Sequence, residues 1–143
     1  MHPAMSKKTL TKKEFETLSE FRYRLRRFLR FSEQVTRKNG ITPLQYLLLL
    51  HVKGFPGRHW ATVGELAERL QASHHGTVAL VSRCESLGWV ERRQGQADRR
   101  AVEVHLTESG ERMAAKMAQL HRDEHLNPAG SFLLPQLKQL QED

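Results

Sequence analysis

The chain of 143 residues is poor in the features of secreted, membrane-spanning or metal-stapled proteins. It has one cysteine, so no disulfide can close within it, and a lone thiol fits a reducing compartment. No apolar stretch approaches the ~20 residues that cross a bilayer; the run Leu47 to Leu50 is far too short. Met1 to Lys13 is polar and basic and lacks the apolar centre of a secretory signal. A cytoplasmic protein with no membrane partner is expected. Acidic side chains are also in deficit, 16 against 23 Lys and Arg, for a net charge of +7. That balance favours an anionic partner such as nucleic acid, although charge alone does not choose it. Enzyme signatures are missing too: there is no nucleophile elbow, no Gly-rich phosphate loop and no H-E-x-x-H. Asp98 and Glu103 on a short hairpin make no credible catalytic pair. No enzyme is expected, and no cofactor.

What the chain does have is a series of helix starts. Thr11 and Glu14 form a capping box, and apolar residues from Phe15 through Val35 follow at helical spacing to a stop at Asn39-Gly40. A helix this long on so small a body cannot bury its own apolar stripe, which predicts packing against a second subunit. Thr42-Pro43-Leu44-Gln45 opens a second helix, with Leu44, Leu47, Leu48 and Val52 as its expected buried face. Thr62 and Glu65 open a short third one, through Leu70. Ser73 caps a fourth, ending near Leu87 before Gly88.

The period then changes from helical to alternating. Trp89 to Arg93 and Ala101 to Leu106 read as two strands joined by the polar, basic tip Gln94 to Arg100. Thr107 caps a helix through about Leu126, stopped by Asn127-Pro128, and a last short helix carries Leu133, Leu134, Leu137 and Leu140. Residues 1–10 read as a loose arm, with Met5 a second possible start.

Short helix, turn, helix and basic hairpin make a winged helix-turn-helix layout: mainly α, formally α+β, with a two-stranded β-wing. The second helix of the pair is about as wide as the major groove, and the hairpin reaches beyond it to phosphates or the minor groove. On that helix Thr77, Leu80, Val81, Cys84 and Leu87 recur at core spacing. Ser73, His74, His75, Gly76, Ala79, Ser82 and Arg83 are left for its N-terminus and outer face. Ser73, His74, His75, Gly76 and Arg83 are therefore the contacts to double-stranded DNA expected from this helix, with the arginines of the hairpin and Gln96 beyond them.

The stretch Thr77 to Val90, running into the first wing strand, resembles the recognition helix of the MarR family of bacterial regulators. Asp98-Arg99-Arg100, followed by Val102 to Gly110, is similar to that family's wing tip, second strand and next helix start. Ile41 to Tyr46 matches the opening of its second helix. The resemblance covers roughly residues 11–126. It implies a single domain over 1–143, with 11–40 and 107–143 as dimerisation helices and 41–106 as the DNA-binding lobe. It implies a homodimer on an inverted repeat, a transcriptional repressor answering a small anionic aromatic effector. It gives Asp98 the role of holding the wing by pairing with Arg100 or Arg83, Arg99 or Arg100 that of reaching DNA, and Arg92 and Arg93 that of flanking phosphates. One departure is Ala79, where many relatives carry a long polar or basic residue, so the base-reading inventory of the helix is thin.

Other candidates are weaker. Arg22, Arg24, Arg26, Arg27 and Arg30 among Phe21, Tyr23, Phe28 and Phe31 could clasp a carboxylate, but a solvated basic helix is the plainer reading, and no ligand residue is assigned. Cys84 reads as a small core residue. His121 and His125, one turn apart, have a spacing that can hold a metal, yet two exposed histidines near a helix C-terminus more often serve its dipole, so no metal site is expected. The competing functions are a winged-helix protein-interaction module and a DNA-coating protein without specificity.

Overall fold

The computed structural model describes residues 9–126. Most of the expected arm, the Asn127-Pro128 stop and the last short helix lie outside them. The described chain forms two compact units: residues up to Phe31 with Glu124 to Leu126, and Ser32–Asp123.

Among the described residues five helices begin where the capping residues place them. Helix α1 (Lys12–Lys38) follows Thr11, whose hydroxyl accepts from the Glu14 N–H at 3.1 Å while Glu14 accepts from the Thr11 N–H at 3.1 Å. It ends before Gly40, whose φ of +75° suits glycine. Helix α2 (Pro43–Lys53) and helix α3 (Val63–Leu70) carry full capping boxes, Thr42 with Gln45 and Thr62 with Glu65. Helix α4 (His74–Ser86) is capped by Ser73, and helix α5 (Glu108–Leu126) by Thr107, whose hydroxyl accepts from the Gly110 N–H at 3.0 Å.

The two expected wing strands form, and among the described residues a third strand joins their sheet. Strand β1 (Trp60–Thr62) pairs antiparallel with strand β3 (Val102–Leu106), which pairs in turn with strand β2 (Val90–Gln94). β1 is three residues long, too short to show alternation. It is fixed at Trp60, which stacks on His105 of β3 at 5.8 Å and carries the Arg58 guanidinium 4.0 Å over its ring. Arg58 also pairs with Glu65.

The core lies in the second unit, where Leu48, Leu49, Val52, Leu66, Val81, Cys84, Val104 and Met117 are fully buried. Two expected faces are corrected. In α2 the buried residues are Gln45, Tyr46, Leu48, Leu49 and Val52, and Leu44 and Leu47 are exposed, because an unbroken apolar run carries no helical phase. Leu87 is exposed because α4 stops at Ser86 and the chain turns at Gly88, φ +83°. In α1 the apolar residues Phe15, Leu18 and Leu29 stay exposed.

Candidate nucleic-acid interface

Helices α3 and α4 are joined by the turn Gln71 to Ser73, in which Gln71 takes a left-handed backbone (φ 52°) as the C-cap of α3. Ser73 Oγ then accepts from the Gly76 N–H at 3.0 Å, and its carbonyl accepts from the Thr77 hydroxyl at 2.8 Å. This cap aims the N-terminal turn of α4, with exposed His74, His75 and Gly76, away from the core. Thr77, Val81 and Cys84 hold the opposite face at 0% exposure, while Ala79 and Arg83 lie outside. Burial pushes the Cys84 thiol up to about 11, so it is an unreactive thiol in the core.

The wing is β2, β3 and the tip between them. The tip closes with Gly95 N–H donating to the Ala101 carbonyl at 2.9 Å and Ala101 N–H donating to the Asp98 carbonyl at 3.0 Å. Gly95 is required there, since a Cβ would stand 2.3 Å from the Asp98 carbonyl oxygen. Asp98 Oδ1 accepts the Arg100 backbone N–H at 3.0 Å and lies 3.6 Å from the Arg100 Nε. Of the two arginines weighed as its partner, Arg100 is the one beside it. The Gln94 amide donates to the Arg99 carbonyl at 3.0 Å. The cationic ends remain outward: Arg100 is 94% exposed, and the Arg99 side chain has no hydrogen-bond or ion-pair partner among the described residues. Gln96 is exposed beside them.

Arg92 and Arg93 are held differently from the tip. Side chains alternate along a strand, so Arg92 shares the face of buried Val90 and turns toward α4. Its guanidinium bonds the Ser82 hydroxyl and lies 3.9 Å from Glu85 Oε1, and its backbone N–H donates to Glu85 Oε2 at 3.1 Å. Arg93 turns to the other face, where its Nε donates to Glu91 Oε1 at 2.9 Å. Helical spacing alone puts Ser82 on the outer face of α4 and gives Glu85 no role; Arg92 ties both to the wing. The signal was the parity of Arg92 with Val90.

Between α3, α4 and the wing opens a cavity of about 390 Å³, whose lining includes Val63, Val78 and Val102 together with His74, Arg92 and Arg100. The basic side chains of α1 are partly engaged within their own helix, with Arg24 on Glu20 at 2.8 Å and Arg27 5.5 Å over Tyr23.

Of the two C-terminal histidines, His121 corrects the expectation of an exposed residue on the helix end, and His125 does not. His121 is 5% exposed. Its Nδ1 lies 2.7 Å from the Met117 carbonyl, its Nε2 2.9 Å from Ser32 Oγ, and its ring stacks on Tyr46 at 4.5 Å. The Met117 carbonyl only accepts, so Nδ1 carries the proton and the Ser32 hydroxyl donates to Nε2 in the neutral ring. His125 is exposed, with Phe28 at 4.8 Å. Among the described residues no three His, Cys, Asp or Glu side chains gather as metal ligands would, and no helix is long and apolar enough to cross a membrane.

Residues 39–101, the helix pair and the wing up to its tip, match the MarR family model. The fold matches solved structures along nearly the whole chain. AbsC of Streptomyces coelicolor, a MarR family transcriptional regulator, superposes with a TM-score of 0.74 at 23% identity, over 94% of this chain and 91% of that one. A MarR family protein from Bacillus stearothermophilus does so with a TM-score of 0.72 at 22% identity, over 93% and 91%. A structure of reduced AbfR bound to DNA matches with a TM-score of 0.59 at 25% identity, over 78% and 80%. No curated protein matches the sequence. The MarR family is one of DNA-binding transcriptional regulators, not of enzymes.

Proposed function

We propose that the chain, whose residues 39–101 match the MarR family model, acts as a sequence-specific repressor that binds an inverted repeat as a homodimer. The observation that carries this reading is the pairing of a capped, outward α4 N-terminus with a wing tip whose Arg99 and Arg100 project into solvent on an ordered hairpin. Free N–H groups at a helix N-terminus suit a phosphate, and His74 and His75 stand beside them. Arg83 lies on the outer face of the same helix, and Ser73, Gly76 and Gln96 complete the surface. With Ala79 and Gly76 so small, sequence preference leans on the wing and on DNA shape.

Dimerisation is supported by the exposed Phe15, Leu18 and Leu29 of α1, apolar positions that a second copy would cover. The dimerisation helices are assigned to residues 11–40 and 107–143, of which 127–143 lie outside the described residues, and the DNA-binding lobe to 41–106. The effector class is a small aromatic carboxylate: the cavity beside α4 offers apolar walls with two arginines and a histidine. A ligand there would sit against Arg100 and His74, both assigned to DNA, so binding it would oppose binding DNA. The site of action is the cytoplasm, where DNA is reached.

Selection of random duplexes by the full-length protein at near-physiological salt tests the reading. The expected result is enrichment of an inverted repeat with half-site centres roughly 10 base pairs apart. Binding without enrichment would replace it with a non-specific DNA-coating role, and no binding with an interaction module.

A further inference from the structure

We propose that Arg92 and Glu85 form a strut that sets the angle of the wing on the recognition helix, so that Arg92 positions the DNA-contacting tip and is not itself a phosphate ligand. The inference rests on the DNA-binding reading above and assigns roles within that site.

Glu85 grips β2 twice. One carboxylate oxygen accepts the Arg92 backbone N–H at 3.1 Å, and the other lies 3.9 Å from the Arg92 Nε. Ser82, nearly one turn earlier on α4, takes the far end of the guanidinium. A planar guanidinium with several fixed donors can hold two groups on one helix at once; an ammonium cannot reproduce that fork. The chain between the two elements is the tight turn at Gly88, whose left-handed backbone is closed by its N–H to the Glu85 carbonyl at 2.9 Å. Beyond Val90 every residue of β2 is exposed, so apolar packing does not fix its outer half against α4.

The geometry makes a small angle matter. A strand rises ~3.3 Å per residue, so a swing of about 10° about the Gly88 turn carries the tip at Gly95 through about 4 Å. That is enough to take Arg99 or Arg100 out of hydrogen-bond reach of a phosphate. The pair itself is half exposed, with Arg92 at 33% and Glu85 at 43%, so it contributes little to folding stability. Its effect falls on geometry rather than on whether the lobe folds.

Electrostatics provides a test with opposite signs. A carboxylate near a polyanion repels it, so removing the charge of a bystander Glu85 would tighten DNA binding. Removing it from a strut would weaken binding. The experiment measures fluorescence anisotropy of a labelled duplex carrying the selected repeat, or a pooled random duplex if none is selected, across a salt series. Proteins are the wild type, Glu85→Gln, Arg92→Ala, Arg92→Lys, the double variant Glu85→Gln/Arg92→Ala, and Arg99→Ala as a phosphate-contact reference. We expect Glu85→Gln and either Arg92 change to weaken binding about tenfold each. The double variant should be no worse than the singles, thermal midpoints should stay close to wild type, and the slope of log K against log salt should be unchanged. Arg99→Ala should make that slope shallower by about one. Glu85→Gln binding as tightly as wild type or tighter overturns the proposal. So does a slope made shallower by Arg92→Ala and restored by Arg92→Lys. A wild type that binds no duplex at any salt removes the DNA reading itself, an outcome distinct from either.

Discussion

The carbonyl oxygen of Trp89 lies 1.9 Å from the point where a Cβ on Gly110 would stand. Gly110 is thus the residue that lets the first turn of α5 lie on the backbone entering the wing. Thr107 holds the same junction, its hydroxyl donating to the Gly88 carbonyl at 2.6 Å and its N–H to the Trp89 carbonyl at 3.0 Å. Gly110→Ala must push two backbones apart, since no flexible side chain can give way. The expected cost is about 3 kcal/mol, a fall in melting temperature on the order of 10 °C. A melting temperature within about 2 °C of wild type, measured calorimetrically, would show that the junction yields cheaply.

Acid should loosen the lobe in two stages. Burial and the neighbouring Arg69 charge hold His51 below its ordinary 6.5, so the folded state disfavours the imidazolium. A depressed value means stability that is present above pH 6.5 and lost as pH falls toward and through the folded value. Glu65 follows below its ordinary 4.5. Burial pushes its carboxyl up, but the Thr62 N–H and hydroxyl and the Arg58 guanidinium outweigh that and hold it down. Urea midpoints should decline first between pH 7 and 5 and again below about pH 4.5. His51→Gln should remove the first decline and keep the second; if it keeps both, another group titrates there.

Alkali acts through the core. Cys84 is raised from 9.0 to about 11 by burial, the Arg83 charge offsetting only part of it. Stability is therefore full below pH 9 and is lost as pH rises toward 11. Tyr46, raised above 10.0 by burial, adds to the same limb. At neutral pH the native thiol should react with an aromatic disulfide reagent orders of magnitude more slowly than the urea-unfolded chain. Native and unfolded rates within tenfold of each other would show an accessible thiolate. Cys84→Ala should flatten the limb between pH 9 and 10, and an unaltered limb would assign it to Tyr46.

Much of this architecture was legible because capping is local chemistry. Thr11, Thr42, Thr62, Ser73 and Thr107 each announce a helix through a side-chain oxygen and a donor three residues on, and each helix begins there. What was not legible depended on partners distant in sequence. The α2 run from Tyr46 to Leu50 is apolar at every position, so nothing in it marked Leu47 as outward. β1 exists because β3 supplies a partner for it. His121 looked like a terminal histidine and is buried because Ser32, 89 residues earlier, receives it. The tie of Arg92 to α4 was readable, since Val90 fixes the parity of β2, but a run of adjacent arginines draws attention to charge before direction.

The wing tip makes the last prediction. Asp98 holds the Arg100 N–H and lies 3.6 Å from its Nε, Gln94 holds the Arg99 carbonyl, and both guanidinium groups still reach solvent. Arg99→Ala/Arg100→Ala should therefore leave folding and dimerisation intact, because the bonds that shape the tip are to backbone atoms that alanine retains. Binding to the selected duplex should weaken about 100-fold at near-physiological salt, with a salt slope shallower by about two. Asp98→Ala should weaken binding less and keep the slope, because it removes the acceptor that orders Arg100 and not a cation. Equilibrium titration over a salt series separates the two. If the double variant binds like wild type, the tip does not touch DNA, and the contacts belong to α4 alone.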